Sequence, residues 1–137
     1  MLVSEPPAGA LVIDVRPAED FARSHLPGAV HLDLWGVSLI DTSEAPLRAF
    51  MWMIGHLFAL RGVTADRPVM VYEHDSGIRA ARAWWFLDYL GHPSATILDG
   101  GFQAWTRQGR PVTTDVTAPV PSDWHGTPDA TKVATWK

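Results

Sequence analysis

Short apolar runs alternate with longer segments of helical spacing along most of this chain, and this alternation limits the possible folds more than any other feature. The most uniform run, Val69 to Tyr72, is apolar throughout, which is typical of a strand covered on both faces of a parallel sheet. Alternating strands and helices predict an α/β fold with a mostly parallel central sheet and helices on both faces. The predicted strands are Leu11–Val15, Ala29–Asp33, Val69–Tyr72 and Ala95–Leu98, and the predicted helices are Pro17–Arg23, Pro46–Leu60, Gly77–Leu90 and Phe102–Gln108.

The chain has the length of one domain, and its composition changes near its end. With 137 residues, 47% of them hydrophobic, it can bury roughly 68% of the surface that its unfolded form exposes. Beyond Pro111 the sequence turns to Thr, Ala, Pro, Val, Ser and Asp, so we expect residues 1–112 to form the domain and residues 113–137 to be a linker or tail. Trp124 and Trp136 are costly to leave in water, and we expect them to dock on this domain or on another one.

Charge and hydropathy argue against two classes of partner. The 11 basic and 15 acidic residues give a formal net charge of −4. This leaves too few basic side chains for a face that binds a phosphate backbone, so we expect no nucleic-acid partner. The longest nearly apolar run, Ala49–Leu60, is far shorter than the roughly 20 residues that a membrane-spanning helix needs, so we expect no membrane association. The first residues do not have the pattern of a secretory signal, and the expected location is the cytoplasm.

Cysteine is absent from the sequence. Its absence removes disulfides, thiolate metal sites and every mechanism that uses a cysteine nucleophile. The spacing of His25 and His31 fits no common metal site, and we expect both to be hydrogen-bonded residues beside the turn Leu26-Pro27-Gly28. His56, on an apolar helix, is predicted to be a satisfied core or interface histidine. We therefore expect neither a metal nor a cofactor.

The candidate site is the loop that follows the strand ending at Tyr72. In open α/β sheets ligands bind beyond the carboxyl ends of the strands, where this chain has Glu73-His74-Asp75-Ser76 before a helix from Gly77. Backbone N–H groups and the helix dipole make such a place suitable for an anion. Glu73, His74 and Asp75 are also the only dense cluster of titratable groups. As a general acid and base they would support a hydrolase, although no nucleophile or metal stands beside them.

Other residues near the predicted crevice have two interpretations each. Asp14 and Arg16 flank a strand end, where they could line the crevice or, as we favour, tie the strand to a neighbouring turn. Arg79 could hold the loop or face solvent. The stretch Trp84-Trp85-Phe86 is predicted to be core or domain interface, because no basic groove accompanies it.

The chain also contains separated motifs that occur together in one protein family. They are Asp14-Val15-Arg16, His25-Leu26-Pro27-Gly28-Ala29, Ala80-Ala81-Arg82-Ala83-Trp84-Trp85, Leu98-Asp99-Gly100-Gly101-Phe102-Gln103-Ala104-Trp105 and Gly109-Arg110-Pro111. In this order they resemble the rhodanese-like sulfurtransferases, and most of all the amino-terminal half of the two-domain thiosulfate or mercaptopyruvate sulfurtransferases. The resemblance covers about Leu11 to Pro111 and implies a rhodanese-like fold.

The resemblance places the family's catalytic cysteine inside the candidate loop. In the family, that cysteine takes up a sulfane sulfur as a persulfide and passes it to cyanide or another thiophilic acceptor. Counting back from Ser76 puts the cysteine position at His74, whereas counting from the end of the strand puts it at Glu73. The active-site-like loop comprises Glu73, His74, Asp75, Ser76, Gly77, Ile78 and Arg79.

Neither candidate side chain can carry sulfur, and the charges of the loop oppose a persulfide. Carboxylates at Glu73 and Asp75 would repel a bound anion and compete for the same N–H groups. We expect Asp75 or Ser76 to cap the helix beginning at Gly77 and to fill the anion site from within. Mercaptopyruvate-type relatives also use groups in the connection after the second strand, but Leu39–Pro46 contains neither histidine nor arginine.

These observations leave two main hypotheses. In the first, the chain is a non-catalytic rhodanese-like half that packs on a cysteine-bearing half, either in the same parent chain or as a separate subunit. Val112–Lys137 then resembles an interdomain linker, with Val133-Ala134-Thr135-Trp136 similar to the start of a second domain. In the second, the chain is a stand-alone binding or regulatory module, a monomer or homodimer whose tail folds back over its own helices.

Overall fold

The computed structural model describes residues 2–37 and 43–128. These residues form a five-stranded sheet of order β1-β5-β4-β2-β3, in which every pairing is parallel. The α/β prediction is confirmed. The strands are β1 (Leu2–Val3), β2 (Leu11–Asp14), β3 (Val30–His31), β4 (Val69–Tyr72) and β5 (Ala95–Leu98), and the helices are α1 (Ala18–Arg23), α2 (Glu44–Leu60), α3 (Ile78–Tyr89) and α4 (Gly101–Arg107).

Several element boundaries differ from the predicted ones by one residue, and three differences are larger. The edge strand β1 was missed, because two residues are too few to show a pattern, and it forms by pairing with β5. β3 is shorter than the predicted strand and keeps only Val30–His31. α2 begins at Glu44 and not at Pro46, so the proline lies in the first turn, where its missing N–H is not needed. Residues 38–42, in the connection between β3 and α2, lie outside the described residues.

Successive residues of each strand point to opposite faces of the sheet, and both faces are covered. On one face Ile13, Val71 and Ile97 pack with residues of α2 and α3, such as Phe58 and Phe86. On the other face lies a smaller cluster, against which Phe21 of α1 and Phe102 of α4 pack. Its members are Val12, Leu26, Ala29, Met70, Tyr72, Leu98 and Trp105. Each fully buried aliphatic side chain stabilises the fold by roughly 1.5–3 kcal/mol. The prediction of helices on both faces is therefore confirmed.

The order of the strands locates the crevice of the sheet. β2 pairs with β3 on one side and with β4 on the other. The chain therefore adds β3 in one direction across the sheet and β4 and β5 in the opposite direction, so the direction reverses between β2 and β4. Ligand sites of open α/β sheets lie at such a switch point, beyond the carboxyl ends of the strands. The register places Asp14 beside Tyr72 at these ends, and the candidate loop starts at the next residue, Glu73.

The described part of the tail, residues 113–128, runs back over the domain. Thr113 forms an antiparallel bridge with His25. Further on, the backbone N–H of Ser122 donates to the Ala59 carbonyl at 2.8 Å. Trp124 is half-buried against the larger core, which is one of the two expected docking places, whereas Trp136 lies outside the described residues. The domain boundary at residue 112 stays a prediction.

Candidate functional site

The loop from Glu73 to Gly77 connects the carboxyl end of β4 to α3. Glu73 is only 7% exposed, and its Oε2 accepts a hydrogen bond from the backbone N–H of Ala80 at 2.7 Å. His74 and Asp75 are exposed. The first residue of the loop therefore places its own carboxylate at the amino end of α3, where an external anion would otherwise bind.

The expectation that Asp75 or Ser76 would cap α3 is wrong. The N-cap position of α3 is Gly77, which has no side chain, and the side-chain bond at the amino end of α3 comes from Glu73. Ser76 Oγ instead accepts a hydrogen bond from the backbone N–H of Gly100 at 2.6 Å. The capping role falls to Glu73 because it directly follows the buried end of β4. Its longer side chain can reach the next turn of backbone N–H groups from there.

Burial of Glu73 changes the acidity of its carboxyl group. Desolvation raises the pKa of Glu73 above its ordinary value, and the negative charge of Asp75 adds to this rise. The hydrogen bond from Ala80 and the charge of Arg79 favour the carboxylate, but they do not cancel the effect of burial. A second anion at this place would meet the Glu73 carboxylate at close range.

The outer side of the loop is tied to the amino end of α4. The backbone N–H groups of Phe102 and Gln103 donate to the carbonyls of Glu73 and His74, each at 2.8 Å. Gly101, the residue before Phe102, has a φ of +60°, and a Cβ atom there would be 2.5 Å from the Glu73 carbonyl oxygen. Only glycine fits this approach, so α4 determines the path of the loop backbone.

Asp14 and Arg16 form a buried ion pair just beneath the loop. Arg16 Nη2 lies 2.8 Å from Asp14 Oδ2 and 2.6 Å from the carbonyl oxygen of Ser24. The guanidinium also lies over the Phe102 ring, 4.0 Å from its centroid. The pair thus connects β2 to the turn after α1 and to α4, which is the structural arrangement that we favoured.

Tyr72 completes this network and was not among the predicted site residues. Its hydroxyl donates to Asp14 Oδ2 at 2.5 Å and accepts from the backbone N–H of Leu26 at 3.2 Å. Burial, and then the charge of Asp14, raise the pKa of Tyr72. Burial alone would lower the pKa of Arg16, but its bonds to Asp14 raise it overall. The only available signal was a hydroxyl at the end of a buried strand, since the register with Asp14 is not visible in the sequence.

Arg79 takes a position that neither of its two interpretations described. Its guanidinium forms an ion pair with Asp33, with Nη1 3.1 Å from Oδ1, and lies over the Trp35 ring at 4.9 Å from the centroid. Arg82, one turn further along α3, donates to the carbonyls of Leu34 and Val37. The two arginines therefore hold the connection after β3 against α3.

The remaining singled-out residues have mixed outcomes. His31 is hydrogen-bonded as predicted, with Nε2 2.7 Å from the Arg16 carbonyl oxygen. His25 is hydrogen-bonded as predicted too, with Nδ1 2.8 Å from the Phe21 carbonyl oxygen and Nε2 2.6 Å from the Asp115 carbonyl oxygen. His56 is exposed and stacks on Trp52 at 5.3 Å, so the core alternative for it is wrong, because it lies on the outward face of α2. The stretch at 84–86 packs against the larger core, with Phe86 fully buried.

Two structural features concern metals and membranes. Within residues 2–37 and 43–128, no group of three or more His, Asp or Glu side chains has an arrangement that could hold a metal ion. Across the same ranges, no helix is both long enough and apolar enough to cross a bilayer.

The fold and the loop define a class of protein, an α/β domain with a strand-to-helix loop at the carboxyl edge of a parallel sheet. The family described as rhodanese-like domain matches residues 3–108. The chain belongs to this family, and the recognition from its motifs is confirmed.

Similar proteins include sulfurtransferases of two kinds. The chain is 30% identical to the thiosulfate sulfurtransferase of Cricetulus griseus over 87% of its own length and 41% of that protein. It is 34% identical to a probable 3-mercaptopyruvate sulfurtransferase of Pseudomonas aeruginosa, over 93% of its own length and 49% of that protein. A crystal structure of a probable thiosulfate sulfurtransferase matches with a TM-score of 0.72 and 27% identity, covering 90% of this chain and 50% of that one. The chain thus spans about half the length, or less, of these relatives.

Proposed function

We propose that this rhodanese-like domain is the non-catalytic half of a thiosulfate or 3-mercaptopyruvate sulfurtransferase and packs on a cysteine-bearing half. The observation that carries the proposal is the Glu73 carboxylate, which accepts the Ala80 N–H at the amino end of α3. The coverage of only 41–49% of the sulfurtransferase relatives supports a second domain as the partner.

The chemistry of sulfur transfer explains why Glu73 argues for a non-catalytic role. A persulfide forms on a thiol, and the sequence contains no cysteine. The persulfide is an anion that backbone N–H groups must stabilise, and here the Ala80 N–H is already bound by a carboxylate of the same charge. The reacting thiol must then come from the partner, and this half contributes to the walls of the shared pocket.

Apolar side chains at the same edge of the sheet support a partner there. Ile78, at the start of α3, is 67% exposed, and Trp35, held over the Arg79 guanidinium, is 48% exposed. Contact with a second domain would remove both side chains from water, a gain of about 25 cal/mol for each Å² of apolar surface.

The proposal is tested by sulfur transfer from thiosulfate, or from 3-mercaptopyruvate, to cyanide. The purified chain alone should produce no thiocyanate above the blank. Added to a separately purified cysteine-bearing rhodanese domain, it should raise the rate of that domain and elute with it in gel filtration. Thiocyanate formation by the chain alone, or the lack of both a rate change and a complex, would contradict the proposal.

A matched pair of variants locates the contact. Ile78→Asp puts a charge on the proposed contact edge and should weaken the complex and the rate enhancement together. Val116→Asp changes a side chain that is similarly exposed, at 79%, but lies in the tail, and it should leave both unchanged.

A stand-alone binding or regulatory module is the second candidate. The observation that favours it is the tail, whose backbone bonds to Ala59 and, through Thr127, to Leu90 satisfy helix ends of this same domain. In that case the chain alone is a stable monomer or homodimer, and a cysteine-bearing domain neither binds it nor changes its rate in its presence.

A further inference from the structure

A small cavity lies under the tail, at the amino ends of the strands and thus at the opposite edge of the sheet from the candidate loop. Residues 117–120 of the tail line one side of it, and the other side includes Leu11, Arg61, Gly62 and Arg67. Leu11 is the first residue of β2, and Arg67 lies just before β4. The cavity has a volume of about 170 Å³, whereas a single water needs only about 15 Å³. It therefore has room for a small ion of several atoms.

Two arginines line this cavity without a carboxylate partner. Within the part of the chain that the structure describes, neither Arg61 nor Arg67 forms an ion pair, and none of the described residues that line the cavity is acidic. Arg61 is half-buried, and burial lowers its pKa. Burial acts on Arg16 in the same direction, but the bonds to Asp14 raise the pKa of Arg16 overall. Arg61 therefore has a positive charge that no neighbouring carboxylate balances.

Backbone carbonyl groups hold both guanidinium groups in place. Arg61 Nε donates to the His31 carbonyl at 2.9 Å. Arg67 donates through Nε to the Gly9 carbonyl at 2.9 Å and through Nη2 to the Ala10 carbonyl at 3.4 Å. These bonds use only part of the N–H donors of each guanidinium. A carbonyl has no net charge, so the bonds fix the two groups without neutralising them.

Fixed guanidinium groups at one cavity suit a particular class of ligand. The planar fork of N–H donors matches the spacing of the oxygens in a phosphate, a sulfate or a carboxylate, which it can bind in pairs. Two positive charges favour an anion with two negative charges. A spherical anion such as chloride gains less, because it cannot accept two parallel hydrogen bonds on separate atoms.

We propose that this cavity binds a small divalent oxyanion, such as inorganic phosphate or sulfate, between Arg61, Arg67 and the tail. The bound anion stabilises the position of residues 117–120, because it binds the state in which the tail completes the cavity. The inference is independent of the function proposed above, since the cavity lies at the other edge of the sheet and includes no residue of the candidate loop.

The test is a titration of the intact chain with inorganic phosphate, followed by backbone amide shifts at constant ionic strength. Sodium chloride is the control salt. We expect saturable shifts at Gly62, Thr117 and Val120 and slower amide exchange in the tail segment, and neither effect with chloride. The absence of saturable shifts at these residues, the same shifts with chloride, or saturable shifts confined to the loop at 73–77 would overturn the proposal.

Three matched substitutions, each of which removes one positive charge, locate the site. Arg61→Gln and Arg67→Gln should each raise the dissociation constant for phosphate by about tenfold or more, because charge-assisted hydrogen bonds are lost. Arg107→Gln changes an exposed arginine of α4, and should alter that constant by less than about twofold. Equal weakening by all three variants, or phosphate binding that Arg61→Gln or Arg67→Gln leaves unchanged, would overturn the proposal. Because Arg67 is exposed, its variant decides the question even if Arg61→Gln folds poorly.

Discussion

The loop at 73–77 and the tail at 113–128 both cross the ends of helices, and they satisfy those ends by different chemistry. The loop uses a buried side-chain carboxylate, which Glu73 places at the amino end of α3. The tail uses backbone N–H groups, which Ser122 and Thr127 donate to carbonyls at the carboxyl ends of α2 and α3, each at 2.8 Å. The Glu73 carboxylate carries a negative charge that can repel an external anion, whereas the backbone hydrogen bonds of the tail carry no net charge.

The two regions also differ in what determines their path. The charged network under the loop depends on side chains such as Asp14, Arg16 and Tyr72. The path of the tail depends on a glycine in a helix that it crosses, because a side chain at that position would contact the tail backbone. A Cβ atom at Gly55, inside α2, would be 3.0 Å from the His125 carbonyl oxygen. Substitutions should therefore act on stability through charge in the network beneath the loop, and through steric contact at Gly101 beside the loop and at Gly55 under the tail.

The largest effect is expected from the charges beneath the loop. Asp14→Ala leaves the Arg16 guanidinium buried without its partner and should cost about 3–5 kcal/mol of unfolding free energy. The exposed pair of Asp20 and Arg23 is the control, and Asp20→Ala should cost no more than about 0.5 kcal/mol. Urea unfolding at neutral pH measures both, and equal losses would show that burial of the pair is unimportant.

A second substitution tests the backbone of the loop. Gly101→Ala combines a left-handed φ with a Cβ atom 2.5 Å from the Glu73 carbonyl oxygen, and should cost more than about 2 kcal/mol. Gly109→Ala has a similar φ of +72° but no atom within 4 Å, so it should cost only about 1 kcal/mol. If thermal unfolding separates the two variants by less than the error of the measurement, α4 does not constrain the loop.

The corresponding test of the tail is Gly55→Ala. In a helix interior this change ordinarily stabilises a protein by about 0.5–1 kcal/mol, but here the new methyl group pushes on the His125 carbonyl. We expect that gain to vanish and amide exchange at residues 122–127 to accelerate. Gly36→Ala, where a Cβ atom meets nothing within 4 Å, should leave the exchange of the tail unchanged. A full gain in stability with an undisturbed tail would contradict this interpretation.

The smallest effect is expected from the charge of Glu73 itself. Because burial raises the pKa of Glu73 in the folded chain, the folded state binds the proton more readily than the unfolded state. The contribution of this group to stability is therefore greatest in acid and declines as the pH rises through that pKa. Glu73→Gln keeps an oxygen for the Ala80 N–H without the charge, and should gain under about 1 kcal/mol at neutral pH.

This gain should disappear in acid, where Glu73 is itself protonated. Glu73→Ala is the control, because it removes the acceptor, and it should lose stability at every pH. Unfolding free energies of the three chains across the pH range provide the comparison. If Glu73→Gln instead lowers the unfolding free energy at neutral pH and not in acid, the charge of Glu73 stabilises the fold and this prediction is wrong.

Much of the fold could be predicted because it depends on local patterns. The apolar run at 69–72 and the glycine- and proline-marked helices indicate a covered parallel sheet without any knowledge of contacts. β1 could not be predicted, because a two-residue strand exists only through its pairing with β5. The loop between β4 and α3 could be placed from the end of the apolar run, but the residue that caps α3 could not.

The sequence by itself determined that the chain alternates strands and helices, that it belongs to the rhodanese-like family and that it has no thiol at the loop. The alternation follows from short-range spacing and the missing thiol from composition, whereas the family membership rests on the resemblance of the motifs. Only the tertiary structure decided that Glu73 and not Asp75 fills the amino end of α3, that Tyr72 joins Asp14, and that His25 meets Asp115. These depend on register and burial between segments far apart along the chain, and no local pattern carries that information.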